Sequence, residues 1–201
     1  MRPRFSRSLA LLASLGLLGL SALGAPAFQP AEPSQQQPER AEPKGSIEKL
    51  TEEQRAKLCL EKFDVDKNAL AIKGYDPVSY FPEGGSTPTR GDKKIELVRL
   101  GVHYRFASEA HRELFKADPE KYEPAYGGWC AYAMAKGDYT APDPKRYLIQ
   151  NGKLMLFYDG FFGDTYKKWN DEEPKVLEPL ADTFWMSEVE EEAVKIVRED
   201  E

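Results

Sequence analysis

The alternation of apolar and polar positions predicts two β-hairpins in the second half of the chain. Apolar and polar residues alternate in 95–98 and again in 103–106, with Gly101 between them, which is typical of two strands joined by a tight turn. The second hairpin signal is Asn151-Gly152, which lies between two strongly apolar runs. An Asn-Gly pair tolerates the positive φ that a two-residue turn requires.

Helical patterns surround these hairpins. A patchy apolar stripe predicts a helix in 46–63 with Ser46 as its N-cap. Ser108 is the predicted N-cap of a second helix that ends at Asp118-Pro119, where another helical turn can start. The small and aromatic residues of 129–135 suit a tightly packed helix. The chain from 161 to 201 is predicted to be mainly helical.

These elements predict an α+β fold, with a small hairpin–helix core, a second hairpin and flanking helices. A short apolar strand is expected at 69–72. We assign one domain to 46–185, with its core in 72–158. The segment 186–201 is predicted to be an acidic helical tail with an amphipathic, solvated pattern.

The first residues have the pattern of a signal peptide in 1–27. Three arginines precede an apolar run at 9–23, and Ala25-Pro26-Ala27 provides a small-x-small cleavage site. The alternative is an uncleaved membrane anchor, because the apolar run approaches the length that spans a bilayer. Either way, the sequence predicts export to a periplasmic or extracellular location, with membrane attachment only through an uncleaved leader.

The segment 28–45 is rich in Pro, Gln and Glu, and is predicted to be a disordered linker because it has little apolar surface to bury. The whole chain has a net charge of −6. Cleavage of the leader would remove three of the 28 basic residues and none of the 34 acidic ones, leaving about −9. An acidic chain without a dense basic patch does not suit nucleic-acid binding.

The chain resembles the YHS domain family, small domains found in proteins that handle metals, and it looks most like the exported branch of that family. The matching segments are GYDPVSYF (74–81), GVHYRFAS (101–108), FKADPEKY (115–122), YGGWCAY (126–132) and NGKL (151–154). The resemblance implies a YHS-like core and a binding role.

Metal-handling members of the family carry cysteines at three positions, which here are Ser79, Ala107 and His111. Thiolates suit soft or borderline metals, and serine and alanine do not replace them. Only His111 could still ligate a metal at these positions. A rebuilt transition-metal site would combine His111 with Cys130 and His103.

The leading function hypothesis is a non-catalytic module that binds a metal ion or a small ligand. Aromatic walls with a few polar groups are typical of a ligand pocket. The alternative reading of these rings is an ordinary domain core. The candidate pocket residues are Tyr75, Asp76, Tyr80, Tyr126, Trp129, Cys130 and Tyr132.

Two other functions remain open from the sequence. One is a structural protein that docks a partner in the cell envelope. The other is a thiol-dependent enzyme with Cys130 as nucleophile and His103 or His111 as base. The two cysteines, Cys59 and Cys130, could form a disulfide, remain free and buried, or bear a reactive thiol.

Overall fold

The computed structural model describes residues 47–161 and 163–200. The predicted signal peptide at 1–27, the predicted linker at 28–45 and the predicted cap Ser46 lie outside the described residues. Within the described ranges, no helix combines the length and apolar character that crossing a membrane requires.

The fold is mixed α and β, which confirms the α+β class. Six helices accompany three two-stranded antiparallel sheets in the described ranges. The helices are α1 (Glu52–Lys62), α2 (Glu109–Ala117), α3 (Pro119–Tyr122), α4 (Ala131–Ala135), α5 (Thr165–Asp171) and α6 (Pro174–Glu199). The strands are β1 (Asp92–Arg99), β2 (Val102–Phe106), β3 (Asp143–Gln150), β4 (Lys153–Phe157), β5 (Asp159–Gly160) and β6 (Gly163–Asp164).

Both predicted hairpins are confirmed. Strand β1 pairs with β2, and β3 pairs with β4. Leu100 and Gly101 form the first turn with φ of 48° and 77°, and Asn151 and Gly152 form the second with φ of 52° and 77°. Two successive positive φ values are what a tight turn needs in order to match the twist of its strands.

The first helix begins later than predicted. Thr51 is the N-cap of α1, and its hydroxyl accepts a hydrogen bond from the Gln54 N–H at 3.2 Å. The Gln54 side chain accepts one from the Thr51 N–H at 3.0 Å. This reciprocal capping box is a stronger start signal than a single serine, while Ile47–Lys49 forms only a 3₁₀ turn.

The predicted strand at 69–72 is wrong. The segment makes only isolated bridges, from Ala71 to Val65 and from Leu70 to His103. Ala69 and Ile72 have φ of 56° and 50°, whereas a strand requires negative φ throughout. The chain therefore turns sharply here and enters a 3₁₀ turn at Ile72–Gly74.

Helices α2, α3 and α4 lie where the sequence predicted them. The Ser108 hydroxyl accepts the His111 N–H at the start of α2, and Asp118 caps α3. The predicted buried helix in 129–135 corresponds to α4, in which Ala131 and Met134 are fully buried. Phe115 of α2 is also fully buried, and its ring lies 4.7 Å from the Tyr104 ring of β2.

Helix α6 has no boundary at residue 185, so the segment 186–200 is not a separate solvated tail. Val189, Ala193 and Ile196 are buried and pack with Leu50 and Leu58 at α1. The apolar positions that suggested an amphipathic tail therefore form a third core cluster. The antiparallel sheets and α2 enclose the first cluster, and α4, α5 and α6 enclose the second.

Candidate functional site

Asp76 and His111 form a buried link between two parts of the core. Asp76 caps the 3₁₀ turn Pro77–Tyr80, and its side chain is fully buried. Its carboxylate accepts hydrogen bonds from the Val78 N–H at 2.9 Å and the Ala107 N–H at 2.8 Å. His111 Nδ1 lies 2.5 Å from the same carboxylate. Asp76 therefore joins the turn to the start of α2.

His103 is engaged elsewhere, on the exposed side of the first hairpin. Its Nδ1 lies 2.7 Å from Glu96 Oε1, and Arg105 donates to the other oxygen of Glu96 at 3.2 Å. The hydrogen bond with His103, together with Arg105, lowers the pKa of Glu96. His103 and His111 therefore pair with different carboxylates on different elements.

Cys130 is fully buried at the start of α4. Its Sγ lies 3.3 Å from Thr165 Oγ1 and 3.4 Å from the Tyr158 N–H nitrogen. Neither histidine is among these neighbours. The arrangement therefore supplies neither the base of a thiol enzyme nor the metal site predicted from His111, Cys130 and His103, and the described ranges contain no group of three His, Cys, Asp or Glu that could hold a metal ion.

The sequence left a Cys59–Cys130 disulfide and free, buried thiols open as alternatives, and the structure has both thiols free and buried. Cys59 lies on α1 and packs in the first core cluster, whereas Cys130 contacts Thr165 at the start of α5. Burial raises the pKa of Cys59 to about 11. A thiol with such a pKa remains protonated at neutral pH, so it is a poor nucleophile.

The seven candidate pocket residues do not gather in one cavity. Tyr80 is buried, and its hydroxyl donates to the Pro144 carbonyl at 2.9 Å. Tyr132 binds Glu172 at 2.6 Å near the surface. Tyr75 lines a small cleft of about 350 Å³ beside Arg90, whose guanidinium lies 4.7 Å from the Tyr75 ring. Of the seven, only Tyr126 lines a wider cavity in the described part of the chain.

That cavity, which we call the α1–α6 groove, has a volume of about 640 Å³. It forms where the turns of both hairpins meet α1, α6 and the loop after α3. Its walls are mainly apolar and aromatic side chains, with polar groups at the edges. The apolar lining comprises Ile47, Leu58, Phe63, Leu100, Pro124, Ala125, Tyr126, Trp185, Met186 and Val189.

Two residues with left-handed backbone conformations shape the floor of the α1–α6 groove. Tyr126 and Gly127 have φ of 58° and 59°. The Gly127 carbonyl accepts the Asp64 N–H at 2.9 Å, which fixes the loop to the end of α1. A Cβ atom on Gly127 would lie 2.7 Å from Phe63 and 2.8 Å from Trp185. Glycine at 127 therefore allows these two aromatic rings to close over the loop.

One edge of the groove has a partly buried acidic group, Glu123. Glu123 accepts hydrogen bonds from Arg99 Nε at 3.1 Å and from the Tyr104 hydroxyl at 3.2 Å. Burial raises the pKa of Glu123, although Arg99 opposes this shift. Elsewhere in the lining, the Tyr126 hydroxyl donates to Asp182 at 3.0 Å. Burial, reinforced by Asp182, raises the pKa of Tyr126 well above its usual range.

Trp129 supports the groove without lining it. Its indole N–H donates to the Lys62 carbonyl at 2.7 Å, which ties the YGGWCAY segment to the last turn of α1. Phe63 and Trp185, whose ring centroids are 6.0 Å apart, were not predicted as site residues. Phe63 ends the apolar stripe predicted for 46–63 and follows the last residue of α1, but nothing in the local sequence around Trp185 indicates which element it faces.

No protein-family model matches this chain, and neither does any curated protein or solved structure with which it was compared.

Proposed function

We propose that this domain is an exported, YHS-like, non-catalytic module that binds a small ligand in the α1–α6 groove. The observation that carries the proposal is the groove itself, a cavity of about 640 Å³ with apolar and aromatic walls and charged side chains at its edges. Cavities of roughly 300–1,000 Å³ with such walls are typical of small-molecule sites.

The family-like segments support the YHS part of the proposal. Asp76, in the GYDPVSYF segment, accepts a hydrogen bond from Ala107, which follows the first hairpin. Tyr126 and Gly127, in the YGGWCAY segment, form the groove floor. The basic, then apolar, then small-residue pattern of 1–27 supports export.

The geometry favours a small molecule over a metal ion. His111, His103 and Cys130 contact Asp76, Glu96 and Thr165 respectively. A metal site needs several such ligands around one point, and 47–161 and 163–200 offer no group of that kind. The groove instead offers partly exposed aromatic surface, such as Phe63 and Trp185, which an apolar ligand would cover.

The neutral probe N-phenyl-1-naphthylamine tests this site, because its emission rises when it leaves water for an apolar cavity. We expect saturable one-to-one binding. Ala125→Phe should weaken the affinity about tenfold or more, because Ala125 lines the groove and a phenyl ring would occupy part of the volume. Probe titration by fluorescence measures both affinities.

Ala110→Phe is the matched control, because Ala110 is exposed on α2 and is not part of the groove lining. Its probe affinity should equal that of the unmodified protein. Circular dichroism melts verify that both variants are folded. Equal weakening in both variants, or no saturable binding by the unmodified protein, would rule out the groove as the site.

A further inference from the structure

The cationic side chains of the α1–α6 groove differ in how they are paired. Three of them form ion pairs, with these distances between the side-chain nitrogen and the carboxylate oxygen: Lys62 and Glu188 at 2.9 Å, Arg99 and Glu123 at 3.1 Å, and Lys153 and Asp182 at 2.8 Å. Each of these charges is therefore compensated within the protein. A ligand would have to compete with an existing ion pair to use any of them.

Arg55 is the exception. It lines the groove from the exposed side of α1. Its guanidinium donates to the Glu48 carbonyl at 3.3 Å, and no carboxylate of 47–161 or 163–200 forms a salt bridge with it. A guanidinium has five N–H donors and pairs well with planar anions. Most of the donors of Arg55 are therefore available to a ligand.

The carboxylates of the groove are already paired. Glu123 binds Arg99, Asp182 binds Lys153, and Glu120 lies 3.9 Å from Arg99. Glu123 and Glu120 share Arg99, while Asp182 shares Lys153 with Glu178, which lies 3.1 Å from Lys153, so each carboxylate of the lining has a cation within 4 Å. Among the charged side chains that line the described groove, Arg55 is therefore the one without an ion-pair partner within 4 Å.

We infer that the ligand is an anionic amphiphile, with an aliphatic or aromatic body and one carboxylate-like head group. The body lies against Leu58, Phe63, Trp185 and Met186, and the head group binds Arg55 at the rim. This inference rests on the proposed function of the groove. The inference adds the class of the ligand to that function. The apolar walls favour a ligand with an apolar body, and the guanidinium of Arg55 favours a head group with a negative charge.

Three probes with alkyl chains of nine or ten carbons and different head groups test the ligand class: decanoate, decanol and decyltrimethylammonium. Isothermal titration calorimetry is performed on the full chain, below the concentrations at which decanoate and decyltrimethylammonium form micelles and below the aqueous solubility of decanol. We expect decanoate to bind about three- to tenfold more tightly than decanol, because Arg55 is exposed and its contribution is screened by solvent. Decyltrimethylammonium should bind most weakly.

Arg55→Gln should remove the preference for decanoate while leaving decanol binding unchanged. Lys67→Gln makes the same change in charge at an exposed position outside the groove lining, and it should leave the preference intact. Equal affinities for decanoate and decanol, or loss of the preference in both variants, would overturn the ligand class. If N-phenyl-1-naphthylamine still bound in that case, the groove function would stand; failure of every probe would overturn both.

Discussion

Gly127→Ala should lower the free energy of unfolding by about 2–5 kcal/mol. The residue has φ of 59°, where a side chain is strained. The added methyl would also lie 2.7 Å from the Phe63 ring and 2.8 Å from the Trp185 ring, well inside van der Waals contact. Because both rings belong to packed elements, the loop or α6 would have to move. Urea denaturation followed by circular dichroism measures the loss.

Gly152→Ala is the control variant that separates the effect of backbone strain from the effect of steric crowding. Gly152 also has positive φ, at 77°, but a Cβ atom there would meet no atom within 4 Å. Only the backbone penalty applies, so this variant should lose about 1 kcal/mol. Equal losses in the two variants would show that the Gly127 loop is not packed against Phe63 and Trp185.

Asp76→Ala should lower the free energy of unfolding by about 3–5 kcal/mol. The variant would leave the buried Val78 N–H and the partly buried Ala107 N–H without their acceptor and His111 without its carboxylate. Unsatisfied buried donors are more costly than the lost hydrogen bonds themselves. Chemical denaturation at constant pH measures the change.

Asp92→Ala is the control for this experiment. Asp92 also accepts a backbone N–H two residues along the chain, from Lys94 at 2.9 Å, but it is exposed. The free energy of unfolding of this variant should fall by less than about 1 kcal/mol, because water replaces the lost hydrogen bond. A loss at Asp76 as small as that at Asp92 would contradict the role of Asp76 as the link between the Pro77–Tyr80 turn and α2.

The elements that could be predicted from sequence are those whose signal is local. Asn151-Gly152 fixes a tight turn through its own backbone preferences, and Ser108 caps α2 through a hydrogen bond to His111 three residues away. The prediction of a strand at 69–72 was wrong because apolar composition does not determine the backbone φ angle. The positive φ of Ile72 is imposed by its surroundings, since β-branched residues avoid that region.

The candidate site was harder to predict because its residues meet only in three dimensions. The aromatic residues in the family-like segments correctly indicated Tyr126 as a residue of the groove. The same reasoning also selected Tyr80, which lies in the core, and Tyr132, which lies near the surface. Trp185 reaches the groove because α6 packs on α1 through Val189, Ala193 and Ile196. A sequence pattern shows that a helix has an apolar face, but it does not identify the partner of that face.

The solution NMR spectrum of the full chain, titrated with N-phenyl-1-naphthylamine, tests the central claim most directly. If the α1–α6 groove is the binding site, saturating shifts should appear at the amides of Leu58, Tyr126 and Gly127 and at the Trp185 indole N–H. The smaller cleft at Lys73 and Arg90 should remain unshifted. Saturating shifts confined to that cleft, or no saturating shifts anywhere, would contradict the account.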